Sequence, residues 1–255
     1  VIRELALTMA ITYALVATRM AAFVAVSPFP GASVPAKIRI GFALLLALAA
    51  APVAVPGGTP GLGPPLVLAA FAEMAAGAAI GFVFRVGMSA AEVLGSSLSA
   101  AMGLTFAASY DANQGSNSDS LTRIVTMASM LVFIATGAHR VVIGSVVASF
   151  AVVPIGSALD IGVFLPGVLA WTHRSMECGV GLALPAMTVA IVVQVALGLV
   201  ARAAPSLQIF SVGLSISLAS GLVVVVNGLR DSLTGVAAHM AQVGAVLETV
   251  FRHAS

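Results

Sequence analysis

Charge is the scarcest feature of this chain. Only 8% of its 255 residues are Asp, Glu, Lys or Arg, where about a quarter is usual in a soluble domain. Twenty ionisable side chains cannot coat a domain of this size, so an ordinary water-exposed fold, a disordered chain and a charge-laced coiled coil are excluded. Lysine is almost missing: Lys37 stands beside ten arginines. Nine carboxylates nearly balance these, leaving a net charge of +2 and no basic cluster, so nucleic-acid binding is not expected. A single cysteine, Cys178, excludes an internal disulfide and any multi-cysteine metal or cluster site; beside Gly179 in an apolar run it reads as a small buried hydrophobe. Catalytic motifs are also lacking. There is no phosphate-binding Walker loop, no HExxH and no Gly-x-Ser-x-Gly elbow. The histidines are scattered, and His139, between Gly137 and Arg140, reads as a capping or hydrogen-bonding residue. No catalytic set, metal site or cofactor is expected.

What is abundant is apolar sequence: 60% hydrophobic residues and 25 glycines, with a mean hydropathy of +1.12. Such helices face lipid or other apolar protein. The first run, Leu5 to Val26, is long enough to cross about 30 Å of hydrocarbon. It is too long for a signal-peptide core and has no clear cleavage pattern. The segment from Ser27 through Pro28, Pro30 and Pro35 breaks the helix. A second run spans Ile40 to Val55, and Pro56 to Pro65 is an uncharged loop. A third run, Leu66 to Phe84, carries Glu73, Gly77 and Gly81.

The stretch from Val86 to Ala108 reads as a separate, protein-packed helix. Its Gly95, Ser99 and Gly103 recur every four residues, which lets another backbone approach. Tyr110 to Ser120 is the most polar segment and reads as a loop. Arg123 to Val153 is apolar but broken at Gly137-Ala138-His139-Arg140, which predicts two half-helices or a hairpin, ended by Pro154-Ile155-Gly156. Asp160 to Arg174 reads as a loop with a short helical piece. Ser175 to Ala201 is apolar with Pro185 inside, expected to kink or end that helix. A further run starts at Pro205 and meets Asn227-Gly228. In the tail, Leu229, Leu233, Val236, Met240, Val243, Leu247 and Val250 recur at helical spacing, as in an interfacial or partner-packed helix. No period-2 pattern occurs, so the fold is expected to be all-α: a hydrophobic multi-helix membrane-complex subunit with bent helical hairpins and no sheet.

Arg19, Glu73, Arg85, Glu92, Arg140 and Glu177 lie in or beside apolar runs. Each costs about 2.5–3.5 kcal/mol at a bilayer centre, so they are expected to find partners, as structural ion pairs or near the membrane edge. Of the carboxylates, only Glu73 and Glu92 are placed to serve a proton relay. Lys37 and Arg39 mark the first loop as cytoplasmic, but the remaining charges give no consistent orientation.

The block Arg202-Ala203-Ala204-Pro205-Ser206-Leu207-Gln208-Ile209-Phe210-Ser211-Val212-Gly213 resembles the signature of the FliR family of flagellar type III export components, whose superfamily includes the injectisome component SctT. Other blocks agree in order: Arg19, Pro28-Phe29 and Val34-Pro35; Glu73, Gly77 and Gly81; Ala101 to Phe106 leading to Tyr110-Asp111; Leu121 to Ile124, then Phe133 and Gly137-Ala138-His139; Ser149-Phe150 with Val153-Pro154-Ile155-Gly156; and Leu182 to Pro185. The chain departs from the family pattern at Ala112, Ser206 and Leu214-Ser215.

The resemblance implies one FliR-like export-gate domain over 1–255, with a FliP-like part over roughly 1–160 and a FliQ-like part over roughly 161–255. It implies a structural, channel-forming subunit that is not an enzyme. That subunit assembles with FliP, FliQ and an FlhB-like protein in the bacterial inner membrane at the flagellar basal body, and passes unfolded substrates. It also implies a channel-closing plug around Thr105 to Ser120, with Gly103, Phe106, Tyr110 and Asp111. Arg19, Pro35, Glu73, Gly137, His139, Pro154, Pro185, Arg202, Pro205 and Phe210 are family-motif positions. An injectisome export component and a small-solute secondary transporter are the alternative readings; the latter calls for internal repeats, and none is evident.

Overall fold

A computed structural model describes residues 2–31, 34–54, 64–104, 120–157, 160–203 and 209–252. Within these the fold is all-α, with no strand among the described residues. The helices are α1 (Ile2–Val26), α2 (Ala36–Ala50), α3 (Pro64–Ala101), α4 (Ser120–Ala135), α5 (Ala138–Val152), α6 (Ile161–Ala203), α7 (Ile209–Ala241) and α8 (Val243–Arg252).

Several helices are longer than the sequence pattern implies. Leu66–Phe84 and Val86–Ala108 are not separate elements: α3 runs unbroken for 38 residues. Its two prolines, Pro64 and Pro65, occupy the first turn, where a missing N–H costs nothing. The internal glycines weaken but do not break a helix whose neighbours fix it. The segment read as a loop from Asp160 to Arg174 is the first part of α6, which continues for 43 residues. The sequence reading missed the cap: the Asp160 carboxylate accepts the Gly162 N–H at 2.9 Å, satisfying a free donor at the helix start. Pro185 does not end α6, which runs on to Ala203. Asn227-Gly228 likewise does not end α7. There Asn227 donates its side-chain amide to the Val223 carbonyl at 2.7 Å and stays helical. Cys178 is half-buried, not enclosed.

Lys37 and Arg39 lie in the first turn of α2 and not in a loop. Arg39 Nη2 donates to the Val24 and Ala25 carbonyls, each at 3.1 Å. A cation is thereby placed on the open carbonyls at the end of α1, a role that weakens its use as a marker of membrane side.

The predicted break at Gly137 is present. The axes of α4 and α5 differ by 74°, and Gly137 sits between them at φ 75°, a left-handed conformation that a side chain disfavours. The amphipathic reading of the tail holds for Val236, Met240, Val243, Leu247 and Val250, all buried. The helix that carries the last three, α8, packs on α5.

The chain forms two compact units. One comprises Val1–Gly87, Gly137–His173 and Ala241–Ser255, the other Met88–Thr136 and Arg174–Met240. In the first unit α1 crosses α3 where α3 carries Gly77 and Gly81. A methyl group on Gly77 would collide with the Arg19 carbonyl, and one on Gly81 would lie 2.8 Å from the Phe23 carbonyl. This is the close backbone approach that small residues four apart permit. The buried tryptophan of this unit, Trp171, donates its indole N–H to the Val83 carbonyl at 3.0 Å. In the second unit Gly95 admits Thr122 of α4, whose Cα would stand 2.7 Å from a methyl there. Ser99, four residues on, is fully buried, as the small-residue spacing predicted. Ser175 and His239 are hydrogen-bonded at 3.0 Å inside the same unit.

Four helical segments are long and apolar enough to cross a membrane: Ala6–Val26, Pro64–Ala101, Phe164–Ala203 and Ser215–Val250. The last two have only 17% and 11% of their most apolar windows buried. Val192, Leu199, Val223 and Val226 are each more than 60% exposed. In water such a surface would aggregate; it suits lipid or an apolar partner.

Candidate functional site

Arg19 sits on the inward stripe of α1 with Leu15, Val16, Met20 and Phe23, all buried. Glu73 sits on the inward stripe of α3 with Ala69, Ala76 and Ile80, also buried. Because Gly77 lets the two backbones touch, the long side chains meet one turn from the contact. Arg19 Nε donates to Glu73 Oε2 at 2.6 Å, and Arg19 Nη2 donates to Oε1 at 3.0 Å. This is the forked geometry that only arginine offers a carboxylate. Both side chains are fully shielded from solvent.

The remaining capacity of both groups is used by α5 and the turn that follows it. Arg19 Nη2 also donates to the Val153 carbonyl at 3.0 Å, and Nη1 donates to Ser149 Oγ at 3.3 Å. Ser149 sends its own proton to the Val146 carbonyl at 2.6 Å, so its oxygen is free to accept. The guanidinium carbon lies 4.1 Å from the centre of the Phe150 ring, within the range of a cation–π contact. Glu73 Oε1 accepts a further bond from the Gly156 N–H at 2.9 Å. That N–H is aimed by the turn at 153–156, in which Gly156 adopts φ 83°.

A buried ion pair is stable only when such additional bonds satisfy both partners. Here three N–H donors hold the carboxylate, and two acceptors plus an aromatic face surround the guanidinium. The pair therefore clamps α1, α3 and α5 together. It resembles the structural pairing expected of charges in apolar runs, and it is closed to water, whereas a proton relay must reach it.

The clamp unites motif positions that are far apart in the chain: Arg19, Glu73, Ser149-Phe150 and the turn from Val153 to Gly156. Within it Pro154 is exposed and contributes its carbonyl to Ser157 N–H at 3.1 Å. Other motif positions lie elsewhere. Pro35 precedes α2. Gly137 caps α5, and His139 stands half-buried in the first turn of that helix. Pro185 is exposed on α6, and Arg202 is exposed in its last turn. Gly103 follows α3 at φ 75°. Phe106, Tyr110, Asp111 and Pro205 fall outside the described residues, and Phe210 belongs to α7 with its side chain outside them. Arg85, Glu92, Arg140 and Glu177 are exposed and do not join the clamp. The Val153 carbonyl and Gly156 N–H are main-chain groups with no signature in sequence, although the blocks that carry them were recognisable. Among the described residues no group of three or more His, Cys, Asp or Glu side chains could hold a metal ion.

Comparison with known proteins is consistent along nearly the whole chain. The family described as bacterial export proteins, family 1, matches residues 10–243. The flagellar biosynthetic protein FliR of Caulobacter vibrioides is 32% identical over 231 residues, covering 88% of this chain and 89% of that protein. The FliR protein of Escherichia coli is 31% identical over 191 residues, 74% of this chain and 73% of its own. The FliR protein of Bacillus subtilis is 25% identical over 218 residues, 84% of each.

Proposed function

The chain belongs to the bacterial export proteins, family 1, as a component of flagellar export, and from that premise we propose that it is a structural, channel-forming subunit of the flagellar protein export gate. It assembles with FliP- and FliQ-like subunits and an FlhB-like subunit in the inner membrane at the basal body. There it conducts unfolded substrates and performs no catalysis itself. The part over 1–160 plays the FliP-like role and the part over 161–255 the FliQ-like role. The segment around Gly103, Phe106, Tyr110 and Asp111 closes the channel when no substrate is in transit.

The observation that carries this reading is the family match over residues 10–243 in a chain whose long helices leave most of their apolar surface uncovered. Such a chain is not self-sufficient: its exposed Leu, Val and Ile side chains call for lipid and neighbouring subunits. The Arg19–Glu73 clamp supports the same reading, because it spends intramembrane charge on holding a scaffold rigid. A solute transporter would more naturally place such charge in a midplane binding site.

The test is removal of the gene from its native host, with exported flagellar proteins measured in the culture medium. Loss of export, restored by supplying the chain in trans, is the expected result. Undiminished export without it would overturn the reading.

A further inference from the structure

The second unit contains a groove of about 520 Å³ between α3 and α4, and its chemistry differs from the rest of the surface. One wall presents Ser89, Glu92 and Ser96 from α3; the other presents Thr122, Arg123 and Thr126 from α4. The walls are drawn together by the contact of Gly95 with Thr122. Glu92 and Arg123 are exposed and form no ion pair with each other or with another described residue. Ser96 donates to the Val93 carbonyl at 3.1 Å and Thr126 to the Thr122 carbonyl at 2.8 Å. Their hydroxyl oxygens therefore keep lone pairs for whatever occupies the groove.

Each helix shows two outward chemistries. Along the first half of α3 the exposed side chains are apolar: Val67, Leu68, Phe71, Met74 and Phe82 are 45% to 70% exposed. Farther along the same helix the exposed residues are Glu92 and Ser96. On α4 the outer face shows Ile124, Leu131 and Ile134, 63%, 69% and 40% exposed, while Thr122, Arg123 and Thr126 line the groove. Hydrocarbon suits the first set and rejects the second, because lipid offers nothing to hydrogen-bond and no counter-charge. One helix carrying both sets meets two media.

We propose that the α3–α4 groove is the water-facing lining of the gate on this subunit, with Glu92 and Arg123 as its wall charges and the exposed apolar side chains of the same helices turned to lipid or apolar subunits. The assignment rests on the channel-forming reading above and adds to it which surface of this chain meets the aqueous path. Hydroxyls and charges of both signs form a lining that holds no particular sequence, as a path for varied unfolded chains requires. Its two walls are the helices joined by residues 105–119.

The experiment uses the full chain in its native membrane complex, in a Cys178→Ala background. Single variants Ser89→Cys, Ser96→Cys and Thr126→Cys are compared with Phe82→Cys, Ile124→Cys and Leu131→Cys by reaction with a membrane-impermeant maleimide, with export measured in every strain. Groove positions are expected to react at least about tenfold faster than the apolar positions, since an apolar setting suppresses the thiolate. Their reaction is expected to fall when a substrate is stalled in transit. Equal or slower labelling in the groove, in strains that still export, would overturn the lining while leaving the export function intact. Strains without the chain that export normally would instead sink the function itself. Serine and threonine to cysteine are near-isosteric, and three independent positions guard against a single misfolded variant.

Discussion

Removing one member of the Arg19–Glu73 clamp should be far worse than removing both. In Glu73→Leu the Arg19 guanidinium stays buried with only the Val153 carbonyl, Ser149 Oγ and the Phe150 ring around it. An uncompensated buried charge of this kind costs roughly 3–5 kcal/mol. Arg19→Met is the mirror case, leaving the carboxylate with the Gly156 N–H alone, and a similar cost is expected. If the two costs added, the double variant would lose about 6–10 kcal/mol. The structure predicts otherwise. With both charges gone, the bonds left unmade are those of the buried Val153 carbonyl and the part-buried Gly156 N–H. Ser149 keeps its own bond to Val146. One orphaned buried group costs about 1–3 kcal/mol and a part-buried one less, so the double variant should be at least about 3 kcal/mol better than additive. The assay is thermal loss of monodisperse protein in detergent. For a chain of this size each kcal/mol moves the midpoint by about 2–4 °C, so each single variant should fall by about 6–20 °C. A double variant that falls by the sum of the singles, or a Glu73→Leu change of only a degree or two, would refute the reasoning.

Three further outcomes follow from the same geometry. Gly77→Ala should nearly abolish the folded protein, because its methyl would meet the Arg19 carbonyl, whereas Gly41→Ala, with open space around it, should be neutral or stabilising by about 0.5–1 kcal/mol; membrane abundance of the two variants checks this. Gly137→Ala forces a side chain into a left-handed conformation and should cost about 1–2 kcal/mol, while Gly144→Ala in the same bent pair should not, as compared by melting in detergent. Shortening residues 109–119 should make cells carrying the assembled complex leak ions, measured by dye entry; membranes that stay tight would count against a plug there.

The sequence made the pieces of the site legible but not their meeting. Charge in an apolar run demanded a partner for Arg19 and for Glu73, and that requirement is sound physics. It could not say that Glu73, and not Glu92, would be that partner. The choice depends on Gly77 letting α1 cross α3 one turn away, and on a turn at Gly156 whose main-chain N–H has no letter in the sequence. Helix periodicity gave the break at Gly137 and the buried stripe from Val236 to Val250, because glycine chemistry and spacing are local. It failed where polar residues were taken as helix ends. Asn227 satisfies its own amide within α7, and Asp160 starts α6 instead of opening a loop. In the long α3, the change from Ala/Phe to Ala/Gly/Ser composition marked a change of surroundings and not a change of element.

The most direct test of the export-gate subunit is to tag the chain in its native membrane, extract it in mild detergent and identify what accompanies it by mass spectrometry. Recovery of FliP- and FliQ-like proteins with it in one large complex is the predicted result. Recovery of the chain by itself, as a discrete monomer or small homo-oligomer, would contradict it.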